Sequence, residues 1–334
     1  MVIENPEGPV PHPIPPYRPP RLLAGGHLQT VYPTLFRRVR NVAYRRERME
    51  TDDGDFIDLD WALTGTSPRR VAILSHGLEG HTHRAYILGM ARALVQSGWD
   101  VLAWNQRGCS GEPNRTFRFY HNGVTDDLQR VIDHAGGTGR YDEAALVGFS
   151  LGGNLTLLHL GRQGRGIDPL VRRAVVFSVP CDLAASAGEI ARRRNRIYLN
   201  RFLVDLRVKI RWKMAQFPGR IDDDGYERIR DFRDFDDRYT APVHGFRDAE
   251  DYWTQCSSKP HLPGIAVPTL IVNALNDPFL PPACLPMAEA DANPMITLLT
   301  PASGGHVGFI SFNGDGRYWS EEAAAAFLDG GCFN

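Results

Sequence analysis

Six short apolar runs constrain this chain more than any other feature. They are Val71-Ala72-Ile73-Leu74, Val101-Leu102-Ala103-Trp104, Ala144-Ala145-Leu146-Val147, Ala174-Val175-Val176-Phe177, Thr269-Leu270-Ile271-Val272 and Ile296-Thr297-Leu298-Leu299. Each is too short for a buried helix and lacks the polar alternation of a strand wetted on one face, so each reads as a strand buried on both faces. Between them lie segments of helical spacing. Tyr86, Ile87, Met90, Ala91, Leu94 and Val95 form one apolar stripe closed by Gly98, and Thr125 opens another helix with Asp126 and Asp127 in its first turn. Strands alternating with helices predict an α/β chain with a mostly parallel central sheet covered by helices. Two further extended segments, Val42–Glu50 and Phe56–Leu63, are expected as antiparallel edge strands. The rhythm breaks between about Cys181 and Pro263, where the chain is charged, aromatic and helical in pattern. A single domain is expected, with a core of about 40–180 and 264–334, a helical cap insertion of about 181–263 and a proline-rich segment 1–20.

The third of these runs leads into Gly148-Phe149-Ser150-Leu151-Gly152, and Leu151 to Leu160 follows with helical character. A strand, a sharp turn and a helix form a nucleophile elbow, which holds a serine hydroxyl clear of the strand end. Glycines two positions either side are needed because side chains there would collide. The pattern alone also fits any strand-to-helix turn of a doubly wound sheet; its place between strand and helix gives it meaning.

A serine hydroxyl needs a base, and that base needs a carboxylate to orient it. In an α/β-hydrolase fold the order along the chain is Ser, Asp or Glu, then His. Asp277 follows the strand at Thr269–Asn273, and His306 follows the strand at Ile296–Thr300 within Ser303-Gly304-Gly305-His306. Both sit just past strand ends, where sites in open α/β sheets form. Ser150, Asp277 and His306 are the expected catalytic residues. The oxyanion donors expected are the backbone N–H groups of Leu151 and Leu78, the latter from the loop His76-Gly77-Leu78-Glu79-Gly80. His76 is read as structural. A metal site at His76, His81 and His83 lacks acidic or cysteine ligands nearby, and no cofactor or metal is expected.

With these motifs in hand, the chain resembles the YheT-like branch of the α/β-hydrolase superfamily, related to ABHD-type lipid hydrolases. The matching segments are Gly26-His27-Leu28-Gln29-Thr30, His76–Gly80, Asn105–Asn114, Gly148–Gly153, Phe235-Asp236-Asp237 with Thr240–Phe246, Asp277-Pro278 and Ser303–Phe309. They span nearly the whole sequence. The resemblance implies a Ser-Asp-His charge-relay system on Ser150, Asp277 and His306, in proteins usually assigned as carboxylic ester or acylglycerol hydrolases. One departure is Tyr120-His121-Asn122-Gly123, where serine is expected at position 122; His121 is read as capping its loop, with a place on the pocket wall as the alternative.

Charge excludes some partners. Lys plus Arg number 38 and Asp plus Glu 39, a net charge of −1, so no global attraction to nucleic acid is expected. Five cysteines without a CxxC pair suggest reduced thiols. The start of the chain lacks a signal-peptide pattern and no run is long enough to span a membrane, which implies a cytoplasmic protein. Arg192 to Lys213 is dense in cations, while Leu199, Phe202, Leu203, Leu206, Ile210 and Met214 line another face. This stretch is either a solvated basic helix or a lid whose arginines meet anionic head groups or a membrane surface. The expected function is hydrolysis of a small-molecule acyl ester through an acyl-enzyme. The rivals are acyl transfer with the same triad and a non-catalytic lipid- or partner-binding protein of the same fold. Acyl length, head group and oligomeric state are not encoded in these motifs.

Overall fold

A computed structural model describes residues 16–330. Most of the proline-rich segment 1–20, and Cys332, therefore lie outside the described residues. The six apolar runs form β3 (Arg70–Ser75), β4 (Asp100–Asn105), β5 (Glu143–Phe149), β6 (Val171–Phe177), β7 (Thr269–Val272) and β8 (Ile296–Leu299). Preceding them are β1 (Arg45–Glu50) and β2 (Phe56–Ala62), and among the described residues the sheet runs β1-β2-β4-β3-β5-β6-β7-β8. The β1–β2 and β2–β4 pairs are antiparallel and the remainder parallel. The expected α/β-hydrolase fold is what forms.

Alternate residues of each parallel strand feed opposite faces. Val71, Ile73, Leu146, Ala174 and Val176 pack under α3 (Thr125–Gly137) and α4 (Leu151–Gln163). Ala72, Leu74, Ala145, Val147, Val175 and Phe177 pack on the other side, where α2 (Ala85–Gln96) supplies Ile87, Met90 and Leu94, and the last helix, Trp319–Leu328, supplies Phe327 and Leu328.

One expectation needs correction. β2 is not an edge strand: it pairs on both sides, and all seven of its residues are buried. Its acidic residues tolerate this position because β1 neutralises them. Arg46 pairs with Asp60 at 2.7 Å and Arg48 with Asp58 at 2.8 Å. A strand carrying two aspartates reads from sequence as a solvent-facing edge; cross-strand arginines make it interior.

The sequence periodicity also gave no sign of α1 (Gly26–Phe36). Between β6 and β7 the chain leaves the sheet for α5 (Leu183–Ile190), α6 (Arg196–Gln216), several short turns and α7 (Ala249–Cys256). No helix among the described residues is long and apolar enough to cross a membrane.

The loop after β4 is anchored by Arg107, whose guanidinium is fully buried. It donates to both oxygens of Asp127 at 2.8 Å and to Asp55 at 2.8 Å and Asp53 at 2.9 Å. Replacing it leaves buried Asp55 without its cation and strips buried Asp127 of a two-pronged ion pair, with Arg130 at 3.2 Å remaining. Arg107→Leu is expected to lower unfolding free energy by about 3–5 kcal/mol, read by urea denaturation.

Candidate active site

The elbow is built from crowding. Ser150 adopts φ +53° and ψ −120°, outside the regions L-residues favour, and is immediately followed by the first turn of α4. A Cβ on Gly148 would lie 2.5 Å from the Gly152 carbonyl oxygen, and one on Gly152 would lie 2.3 Å from the Ser75 carbonyl oxygen. The two glycines therefore relieve different collisions: one within the turn, the other between the turn and the end of β3.

Three side chains from three strand ends then meet. The Ser150 Oγ is 2.9 Å from His306 Nε2, and His306 Nδ1 is 2.9 Å from Asp277 Oδ2 and 3.2 Å from Oδ1. Asp277 is buried, and its Oδ1 also accepts the Phe279 amide at 2.9 Å. The Asx-type turn before Pro278 and the histidine contact are thus made by one carboxylate. The His306 ring lies against Phe279, with centroids 4.4 Å apart.

Opposite the histidine, the loop after β3 presses close: a Cβ on Gly77 would stand 3.1 Å from the Ser150 Cβ. The Gly77 amide donates to the Tyr86 hydroxyl at 3.1 Å and the Glu79 amide to the Tyr120 hydroxyl at 2.8 Å. For the amides of Leu78 and Leu151, no hydrogen-bond partner is found among the described residues. His76 holds this loop. It is buried, its Nδ1 donates to the Gly77 carbonyl at 2.8 Å, and its Nε2 accepts the Gln106 amide at 3.1 Å. Burial pushes its pKa down to about 3, so the ring is neutral and its two nitrogens keep opposite roles. No group of three His, Cys, Asp or Glu side chains among the described residues is placed to hold a metal ion.

Above the triad, the insertion encloses an apolar cavity. Ser150 and His306 open onto Leu183, Ala187 and Ile190 of α5, and Phe202, Leu206 and Ile210 of α6. Of the stripe expected on the basic helix, Phe202, Leu206 and Ile210 thus face the site, while Leu199, Leu203 and Met214 pack within the cap. Its cations are largely neutralised elsewhere: Arg207 and Arg211 pair with Asp223, Arg201 with Asp205, and Arg192 and Arg194 with Glu189. Two lysines point inward. Lys209 Nζ donates to the Gly108 carbonyl at 2.8 Å and lies 3.5 Å from Glu79, and Lys213 Nζ donates to the carbonyls of Asn114 and Thr116 at 2.9 and 2.7 Å.

Position 122, the departure from the expected serine, is absorbed by the cap. The Asn122 backbone and side-chain nitrogens both lie 3.0 Å from the Tyr252 hydroxyl of α7. His121 accepts the Gly123 amide at 3.1 Å, which caps its loop, and its ring also faces the cavity.

Several residues that build the site were not anticipated. Thr30 of α1 accepts the His306 amide at 2.9 Å. Buried Gln29 accepts the Ile310 amide at 3.0 Å and donates to the Leu23 carbonyl. Gln29 and Thr30 therefore brace the histidine loop, a role that no spacing could announce because the contacts span more than 270 residues. Asp236 is the other. It lines the cavity, receives Thr240 Oγ1 at 2.6 Å and Trp253 Nε1 at 2.8 Å, and sits in a single π-helical turn.

The alpha/beta hydrolase fold family matches residues 72–312, and this chain belongs to it. Within that family the chain is 38% identical over 305 residues to YheT of Escherichia coli (strain K12), provisionally named an esterase, covering 87% of this chain and 86% of that one. It is 33% identical over 277 residues to phospholipase ABHD3 of Mus musculus, covering 80% of this chain and 67% of the other. Among solved structures, an esterase from Pyrococcus furiosus, Pf2001, superposes with a TM-score of 0.58 at 14% identity, covering 86% and 91% of the two chains. That likeness is one of fold.

Burial raises the Asp236 pKa to about 7, against the lowering pull of its Thr240 and Trp253 hydrogen bonds. In the unfolded chain the same carboxyl ionises near 3.8. Between these values the folded protein holds a proton the unfolded chain has lost, so this group makes stability fall as pH rises from about 4 to 7. Asp236→Asn is expected to match the wild type near pH 4 and to exceed it above pH 7, by an amount on the order of a few kcal/mol, read by urea unfolding across the pH range.

Proposed function

We propose that this protein hydrolyses carboxylic esters carrying an acyl chain, through an acyl-enzyme on Ser150. The observation that carries the reading is the 2.9 Å approach of His306 Nε2 to the Ser150 Oγ, with Asp277 2.9 Å from the other ring nitrogen. His306 takes the hydroxyl proton as Oγ attacks the ester carbonyl carbon. Asp277 fixes the tautomer and stabilises the imidazolium. The carbonyl oxygen, now an anion, receives the Leu78 and Leu151 amides, each such donor being worth roughly 3 kcal/mol in comparable sites. Collapse breaks the C–O bond, and the leaving alkoxide takes the proton from His306. Water then repeats the sequence, releasing the acid and restoring Ser150.

The apolar walls contributed by α5 and α6 suit an alkyl chain, and relatives named as an esterase, a phospholipase and, in Saccharomyces cerevisiae, a monoacylglycerol lipase support an acyl-lipid ester. The oxyanion arrangement is supported by the Leu78 and Leu151 amides, which have no hydrogen-bond partner among the described residues.

Ser150→Ala is expected to lower kcat for simple acyl esters by at least about 10³-fold and to abolish labelling by a fluorophosphonate. Asp277→Asn, which keeps the shape and misdirects the tautomer, is expected to lose about 10⁴-fold. A series of p-nitrophenyl esters of increasing acyl length reads the cavity depth. Wild-type protein that is folded and resists fluorophosphonate would overturn the reading in favour of a binding protein, and acylated alcohol in place of free acid would make it a transferase.

A further inference from the structure

The helix that braces His306 is amphipathic in the wrong sense for one bathed in water. On α1 the polar Gln29 and Thr30 turn inward to the histidine loop. Leu28, Val31 and Leu35 occupy the opposite face at i, i+3 and i+7, and are 52%, 37% and 54% exposed. Phe36 at the helix end is 64% exposed and Leu22, just before the helix, 90%. The apolar surface continues past α1: Tyr32 meets the exposed Phe312, and His27 stacks on Tyr198 at the start of α6, next to Ile197, which is 83% exposed. Scattered apolar residues on a surface need no explanation; a helical face built of them, continuous with two neighbouring segments, does.

Its electrostatics point to the partner. No Asp or Glu occurs from Gly8 to Arg46, whereas Arg18, Arg21, Arg38 and Arg40 flank the helix and are exposed. Among the described residues none of these four has a carboxylate partner. The cap helix differs in this respect, since most of its arginines are ion-paired. Apolar side chains projecting between unneutralised arginines match an anionic lipid surface: the side chains enter the acyl boundary and the guanidiniums meet phosphates.

We propose that this protein docks on anionic membranes through the outward face of α1, with Leu22, Phe36 and Ile197 at its margins, and not through the basic cap helix. Because α1 holds the histidine loop on its other side, docking brings the active site to the lipid without moving it. The proposal does not depend on the catalytic reading.

The test uses full-length protein carrying Ser150→Ala, so that no lipid is consumed, and sedimentation with vesicles of phosphatidylcholine alone or with one quarter phosphatidylglycerol. Binding is expected to be at least about tenfold tighter to the anionic vesicles. The triple variant Leu28→Ser, Val31→Ser, Leu35→Ser is expected to lose at least about tenfold of that binding. On the active background it is expected to keep its rate on a soluble short-chain ester, which shows that α1 still supports His306. The pair Arg207→Gln, Arg211→Gln is expected to bind as the parent does. Undiminished binding by the triple variant, or loss confined to the cap pair, overturns the proposal. So does a dimer in solution that the triple variant dissolves, which would make a second copy the occupant. Vesicle binding seen only after deletion of residues 1–15 would assign the face to the chain's own beginning and overturns it equally.

Discussion

Everything at the site follows from one close approach of backbone to backbone. The turn after β5 passes so near the end of β3 that a single methyl group at position 152 has no room beside the Ser75 carbonyl. That contact forces Ser150 into its rare backbone conformation, raises its side chain above the sheet, and brings the Leu78 loop against it. The strain is local and small, on the order of 1–3 kcal/mol. It is sustained by parallel pairing on both sides of β5, to β3 and β6, which holds the turn where it cannot relax.

Around that contact the protein carries buried charges managed in ion pairs. Asp58 and Asp60 lie inside the sheet under β1 arginines, and Arg107 gathers three carboxylates from two directions. Such pairs contribute little net stability compared with apolar packing, and they penalise every arrangement in which they are broken. Here they fix the loops. Arg107 anchors the segment that begins with Gln106, whose amide in turn holds His76 beneath the loop that bears Leu78.

What the sequence made legible was whatever repeated or stood in order. Strands buried on both faces announce themselves as apolar runs, and the elbow, Asp277 and His306 each follow such a run. β2 was misplaced because Asp58 and Asp60 read as solvent-facing, and only partners on another strand make them interior. α1 was invisible for a related reason: burial periodicity assumes apolar residues face inward, and in α1 Gln29 and Thr30 do so. Asp236 could not be anticipated as a proton-holding group, because its environment is assembled from Thr240 and Trp253 under a cap whose packing no local pattern specifies.

The two lysines of α6 fix the roof of the cavity. Lys209 and Lys213 are bolted to the loop of residues 108–116, one of them beside the Glu79 carboxylate. Lifting the whole helix would strip both ammonium groups of these partners at once, a cost on the order of several kcal/mol. The long helix is therefore held as a fixed roof beam over the apolar cavity.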